Sequence, residues 1–137
     1  MDKKLLANYK NTNYRFMADG QQVTLTIGQK NVYFDRLCDS LNQRNGAFIT
    51  AFNPHSQLLS IKENRERNKQ LESTLREIGE VHYFRGEGQD RNKQWPAEES
   101  YMVLGLKQQT VIDLARQYQQ NALVWIEYQQ AAVLITV

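Results

Sequence analysis

The sequence predicts an α+β fold, a mixed and mostly antiparallel sheet with about three helices packed on it, in the order ββαβαββαββ. Three observations predict it. Short apolar runs at Ala47–Phe52, Tyr101–Leu106 and Ala131–Val137 have the length of buried strands. Apolar residues at helical spacing recur at Phe34–Leu41, Leu71–Ile78 and Val111–Tyr118. Hairpins and crossovers alternate, as they do where helices pack on a sheet with antiparallel neighbours. One domain spanning 1–137 is expected, since a chain of 137 residues is long enough to bury a core without staples.

The first dozen residues are polar, with Leu5, Leu6 and Tyr9 available for a short docking turn. Tyr14–Met17 and Val23–Ile27 flank Asp19-Gly20 and alternate as a β-hairpin, which Gly28 ends. Phe34, Leu37, Cys38 and Leu41 follow the i, i+3, i+4, i+7 rule and give a helix that stops before Asn45-Gly46. Ala47–Phe52 is apolar except for Thr50, so it reads as a strand buried on both faces and central in its sheet. Pro54 has no N–H for a ladder, so the strand ends at Asn53.

The longest helix then opens on Ser60, with Glu63 completing a capping box, and stops at Gly79. Val81–Arg85 is a further strand. The stretch Gly86–Ser100 is polar and glycine-rich, and reads as a loop. Tyr101–Leu106 follows as a strand. Val111, Leu114, Ala115 and Tyr118 mark the third helix, which Asn121 closes, and Leu123–Glu127 with Ala131–Val137 forms a last hairpin. The final strand is apolar to its end, so it belongs inside the sheet or against a second copy, as a homodimer through that strand.

The long helix holds an anomaly. At about 100° per residue, Leu71, Leu75 and Ile78 share one face, and that face runs back through Asn68, Asn64, Ile61 and Gln57, with Ser60 and Arg67 at its edge. The inward face is therefore apolar in its second half and amide-lined in its first. Asparagine is a mediocre helix former, and a buried amide without partners costs a few kcal/mol. Two readings stay open. The amides of Asn64 and Asn68 bond the backbone of the Asn53–Leu59 turn or the Gly86–Ser100 stretch in a closed network, or they line a pocket at the helix N-terminus.

Composition excludes more than it assigns. An apolar fraction of 41%, a charged fraction of 23% and a net charge of +2 describe a globular chain with no electrostatic case for nucleic acid. Basic residues between Lys62 and Arg76 alternate with Glu63, Glu66 and Glu72, as on a solvated helix face. Cys38 is the one cysteine, which rules out a disulfide framework and a cysteine-based zinc site. No window reaches the roughly 18 apolar residues of a membrane span, and the N-terminal stretch MDKKLLANYKNTNYRF has no long apolar h-region, so a cytoplasmic protein without membrane contact is expected.

Candidate chemistry is sparse. His55 and His82 are the only histidines, and no nucleophile elbow accompanies them. Gly86-Glu87-Gly88 follows a strand, but no helix opens behind it, so it makes no phosphate loop. Glu87, Asp90, Glu98 and Glu99 have no metal-ligand spacing, no metal site is assigned, and no cofactor is named by any motif. Trp95 offers a flat face for stacking or a pin for its loop.

The run Phe48-Ile-Thr-Ala-Phe-Asn-Pro-x-Ser, then Ser60, Glu63-Asn64, Arg67-Asn68 and Leu71, resembles the bacterial domain-of-unknown-function family 3293. Gly86, Gly88, Trp95-Pro96-x-Glu98-x-Ser100, Gly105 and Gln120-Asn121-Ala122 are similar to its later blocks. The resemblance implies a small, stand-alone bacterial cytoplasmic protein and carries over no activity, catalytic residue or ligand.

Two functions from different classes follow. In the first, a small-ligand module, with or without catalysis, holds a polar or phosphorylated metabolite or nucleotide in a cleft at the N-terminus of the long helix. Asn53, Ser56, Ser60, Asn64, Asn68 and Glu98 would contact it, with Arg67 as counter-charge and Trp95 stacking. In the second, a protein-interaction or regulatory module has no pocket and the same polar residues close on one another.

Overall fold

The computed structural model describes residues 1–137 and orders them as α1 (Lys3–Lys10), β1 (Thr12–Ala18), β2 (Gln21–Leu25), α2 (Val32–Leu41), β3 (Asn45–Ile49), α3 (Ile61–Ile78), β4 (His82–Asp90), β5 (Glu98–Leu104), α4 (Gln108–Gln117), β6 (Ala122–Glu127) and β7 (Val133–Thr136). The expected α+β order holds, with a fourth helix added at the N-terminus. Seven strands form one sheet in the order β2-β1-β4-β5-β3-β6-β7, antiparallel at every pairing.

The sheet curls. Ile27, just past β2, bridges Ala132, just before β7, so the two ends of the sheet approach each other. Period-2 alternation then divides the core between two faces. Phe16, Phe48, Met102, Leu104, Val124 and Ile126 point into the trough and pack on Phe34, Leu37 and Cys38 of α2. Ala47, Ile49, Tyr101, Val103, Leu123 and Trp125 point outward beneath Leu71 and Leu75 of α3 and Val111, Leu114 and Ala115 of α4. β3 lies between β5 and β6, interior as its apolar run predicts.

Helix ends follow local chemistry. Ser60 accepts from the N–H of Glu63 at 3.1 Å and donates to its carboxylate at 2.9 Å. Asn31 caps α2 through the N–H of Phe34, and Asn42 ends that helix in the left-handed conformation. Cys38 is fully buried, and burial pushes its thiol up to about 12.

Four expectations are corrected. Residues 3–10 are a full helix, capped by Asp2 through the N–H of Leu5 at 2.7 Å; no residue of α1 is fully buried, so no apolar stripe announces it. Gly86–Ser100 is mostly strand. β4 continues to Asp90 and β5 begins at Glu98, because ladder bonds are made by backbone, whatever the polarity of the side chains. On α3, Leu71 and Leu75 are buried, but Ile61 and Ile78 are 52% and 42% exposed at the helix ends, where the sheet no longer lies beneath them. Lastly, β7 is an edge strand with Val133 exposed, not an interior one. The Ile27–Gln29 segment pairs with Ala132 at its start, and pairing with a second copy is the other expectation for this strand.

Candidate functional site

The chain leaving β3 explains the amides of α3. Three successive backbone N–H groups leave the ladder and are taken by side chains. Ala51 donates to Asn68 Oδ1 at 2.8 Å, Phe52 to Thr50 Oγ1 at 3.1 Å, and Asn53 to Asn64 Oδ1 at 2.8 Å. The amide nitrogen of Asn68 donates to the Glu99 carbonyl at 2.7 Å, and that of Asn64 to Asn53 Oδ1 at 2.8 Å. Arg67 binds the carbonyls of Ala51 and Tyr118 from the other side. This segment also turns hard. Asn53, His55 and Ser56 have φ of 48°, 51° and 61°, sparsely populated values that cost on the order of 1 kcal/mol each without glycine.

The turn so held forms one wall of a cavity of about 600 Å³ in the trough, at the end that α2 does not fill. Tyr14, Phe48, Gly88, Glu98, Ser100 and Val124 form its floor. Leu5, Asn8 and Tyr9 of α1 stand opposite Asn53, His55, Ser56 and Leu58, while Trp95 and Pro96 occupy the rim. Tyr14 and Phe48 meet edge to face at 5.3 Å, and the Tyr14 hydroxyl donates to the Tyr9 carbonyl at 2.8 Å, tying α1 to the floor.

Glu98 and Glu99 are neighbours in sequence and lie on opposite faces. Glu99 turns outward to Arg65, 3.0 Å away. Glu98 turns into the cavity, where Oε2 accepts from Asn53 Nδ2 at 3.0 Å. Asn53 Oδ1 is already committed to two donors, Asn64 Nδ2 and the N–H of Leu59, which fixes its nitrogen toward Glu98. A relay of oriented amides thus runs from α3 to the carboxyl.

Burial raises the Glu98 carboxyl above its ordinary range, and the Asn53 bond opposes that shift. Burial first and the Glu98 charge second push the Tyr9 phenol up to about 12, with Ser56 acting against them. Asp90 behaves oppositely: bonds from the N–H groups of Gln94 and Trp95 hold its carboxyl below the usual range. Glu98 therefore protonates in the folded protein before the unfolded chain would, as pH falls. Stability that this group supplies is complete below the unfolded value and is lost as pH rises through the raised folded value. Urea midpoints for wild type minus Glu98→Gln, measured from pH 3 to pH 8, are expected to fall across that window. A flat difference would show that Glu98 titrates normally.

Of the residues singled out from sequence, Asn53, Ser56, Trp95 and Glu98 come together around the cavity. Ser60, Asn64, Arg67 and Asn68 do not line it; they shape the turn from behind. Trp95 is 50% exposed, so its indole leaves a face free at the rim and does not pin the loop to the core. Tyr9, Tyr14, Ser100 and Asn121 were not signalled by any motif of catalytic spacing. Asn121 reaches Ser56 Oγ at 2.7 Å across 65 residues of chain. No three His, Cys, Asp or Glu side chains are grouped to hold a metal ion, and no helix is long and apolar enough to cross a membrane.

A family described as Protein of unknown function (DUF3293) matches residues 49–123. No curated protein and no solved structure matches the chain. The family match covers more than half of the 137 residues, and the chain belongs to that family.

Proposed function

We propose that this DUF3293 protein is a small-ligand-binding module whose site is the trough cavity between α1, the Asn53–Leu58 turn and the Trp95 rim. One observation carries the reading: the Glu98 carboxyl is held by an oriented side-chain amide in a recess lined by both polar and aromatic residues. A volume of about 600 Å³ is within the range of pockets that take metabolites. The strained turn supports it, because backbone strain of this kind gathers where a wall must be held in one shape. Asn53, Ser56, Trp95, Glu98, Ser100 and Asn121 are among the residues that carry the family resemblance, and all line the cavity.

The site differs in position from a cleft opening on the first turn of α3. That turn is capped by its own Ser60 and Glu63, and its amides are spent on the 51–53 backbone. A ligand in the trough would lie against Trp95, whereas Trp125 is buried on the outer face. Titration with amines, amino acids, sugars and nucleosides is expected to change the tryptophan emission in wild type and not in Trp95→Phe. A true ligand at 100 times its dissociation constant would add about 2.7 kcal/mol, roughly ten degrees in a melt. A panel that moves neither emission nor melting temperature defeats the reading.

A further inference from the structure

We propose that the cavity selects a flat organic cation, an amine or amidine carried on an aromatic or heteroaromatic body, with Glu98 as its anchor. The inference rests on the cavity being a ligand site and names the class it would take.

The charges around the recess point one way. Its lining carries three carboxylates, Asp2, Asp90 and Glu98, against one lysine, Lys4. Two of the three are spent on backbone: Asp2 caps α1, and Asp90 holds the N–H groups of Gln94 and Trp95. Glu98, a lining residue, has one bond, to Oε2, and no salt bridge, so Oε1 accepts from no protein donor and is not sealed from solvent. The two arginines that follow the turn are committed elsewhere, Arg65 to Glu99 on the outward face and Arg67 to the carbonyls of Ala51 and Tyr118. An anionic ligand would therefore meet a carboxylate with no guanidinium to offset it. A protonated nitrogen would supply the counter-charge that Glu98 lacks, and a charge-assisted bond in a recess of this kind is stronger than one in water.

The walls favour the same class. Tyr9, Tyr14 and Phe48 line the recess together with Glu98, and the half-exposed Trp95 stands at its mouth. Such rings attract cations, and they stack on flat bodies. Apolar flanks at Leu5, Leu58 and Val124 would reward an aromatic frame over a hydrated one.

The test uses probes matched in shape and opposite in charge: benzamidine and tyramine against benzoate and phenyl phosphate, followed by Trp95 emission and calorimetry. The cations are expected to bind at least about tenfold more tightly than the anions, a difference of about 1.4 kcal/mol. Glu98→Gln keeps an oxygen for Asn53 and so keeps the fold, confirmed by a cooperative melt no lower than that of wild type at neutral pH. It is expected to lose about tenfold in benzamidine affinity. Anions that bind as well as cations, or benzamidine affinity unchanged in Glu98→Gln, would overturn the assignment and leave the cavity as a ligand site. No binding by any of the four would overturn the assignment and the cavity reading together.

Discussion

Asn64→Leu is expected to destabilise the protein by about 2–4 kcal/mol, although leucine is the better helix former and would extend the apolar stripe of α3. The substitution removes the acceptor for the Asn53 N–H and the donor to Asn53 Oδ1, both at 2.8 Å. What it strands matters more than what it removes. A backbone N–H cannot be replaced or turned away, and a buried donor without a partner costs about 1–3 kcal/mol by itself. Asn68→Leu should cost a similar amount, since it strands the N–H of Ala51, a fully buried residue.

The two variants should part at the site. Asn68 does not touch Asn53, whereas Asn64 orients the amide that holds Glu98. Asn64→Leu should therefore weaken ligand binding at temperatures where the fold is intact, and Asn68→Leu should not. Urea melts with a double-mutant cycle against Asn53→Gly give the check, glycine being chosen because position 53 has φ of 48°. A coupling on the order of 1–2 kcal/mol is expected for a direct pair. Additive losses would mean that Asn64 stabilises α3 alone and positions nothing.

These same amides show how far the sequence could be read. Polar residues on an inward helix face were visible as an anomaly, because helical spacing is set by local geometry. Their partners were not visible, because the 51–53 backbone leaves its ladder for reasons of tertiary fit. β3 and β6 are apolar on both faces and are legible at once. The upper part of β4 and the start of β5 are not, since Gly88, Glu98 and Ser100 face a cavity, Gly86 packs its bare Cα against Phe16 and Phe48, and none of the four carries an apolar signal. The cavity itself joins α1, the first hairpin and the β4–β5 pair, segments that no local pattern connects. Half of the site residues expected from sequence line it, and Tyr9 and Tyr14 were hidden because a tyrosine in a recess and one in a core have the same spacing.

Gly86→Ala is expected to cost about 3 kcal/mol or more, and Gly88→Ala less than about 0.5 kcal/mol, though the two lie on one strand and one face. The difference is in what a Cβ would meet. At Gly86 it would run into the carbonyl oxygen of Arg15, with Phe16 Cβ at 3.0 Å and Phe48 Cε2 at 3.1 Å. The oxygen belongs to the β1–β4 ladder and cannot yield without breaking register, and both rings belong to the core. At Gly88 the nearest atoms are Thr12 Cγ2 and Tyr14 Cδ1 at 3.6 Å, ordinary contact beside open space. That space is the cavity floor, so a larger residue there fills the site without displacing the sheet. Gly88→Val should melt within a few degrees of wild type, β-branched residues being well suited to strands, and should lose the Trp95 response to ligand. If Gly88→Val binds as well as wild type, the recess beside Glu98 is not where the ligand sits. If Gly86→Ala melts normally, the close approach of β1 and β4 is not what requires a glycine there.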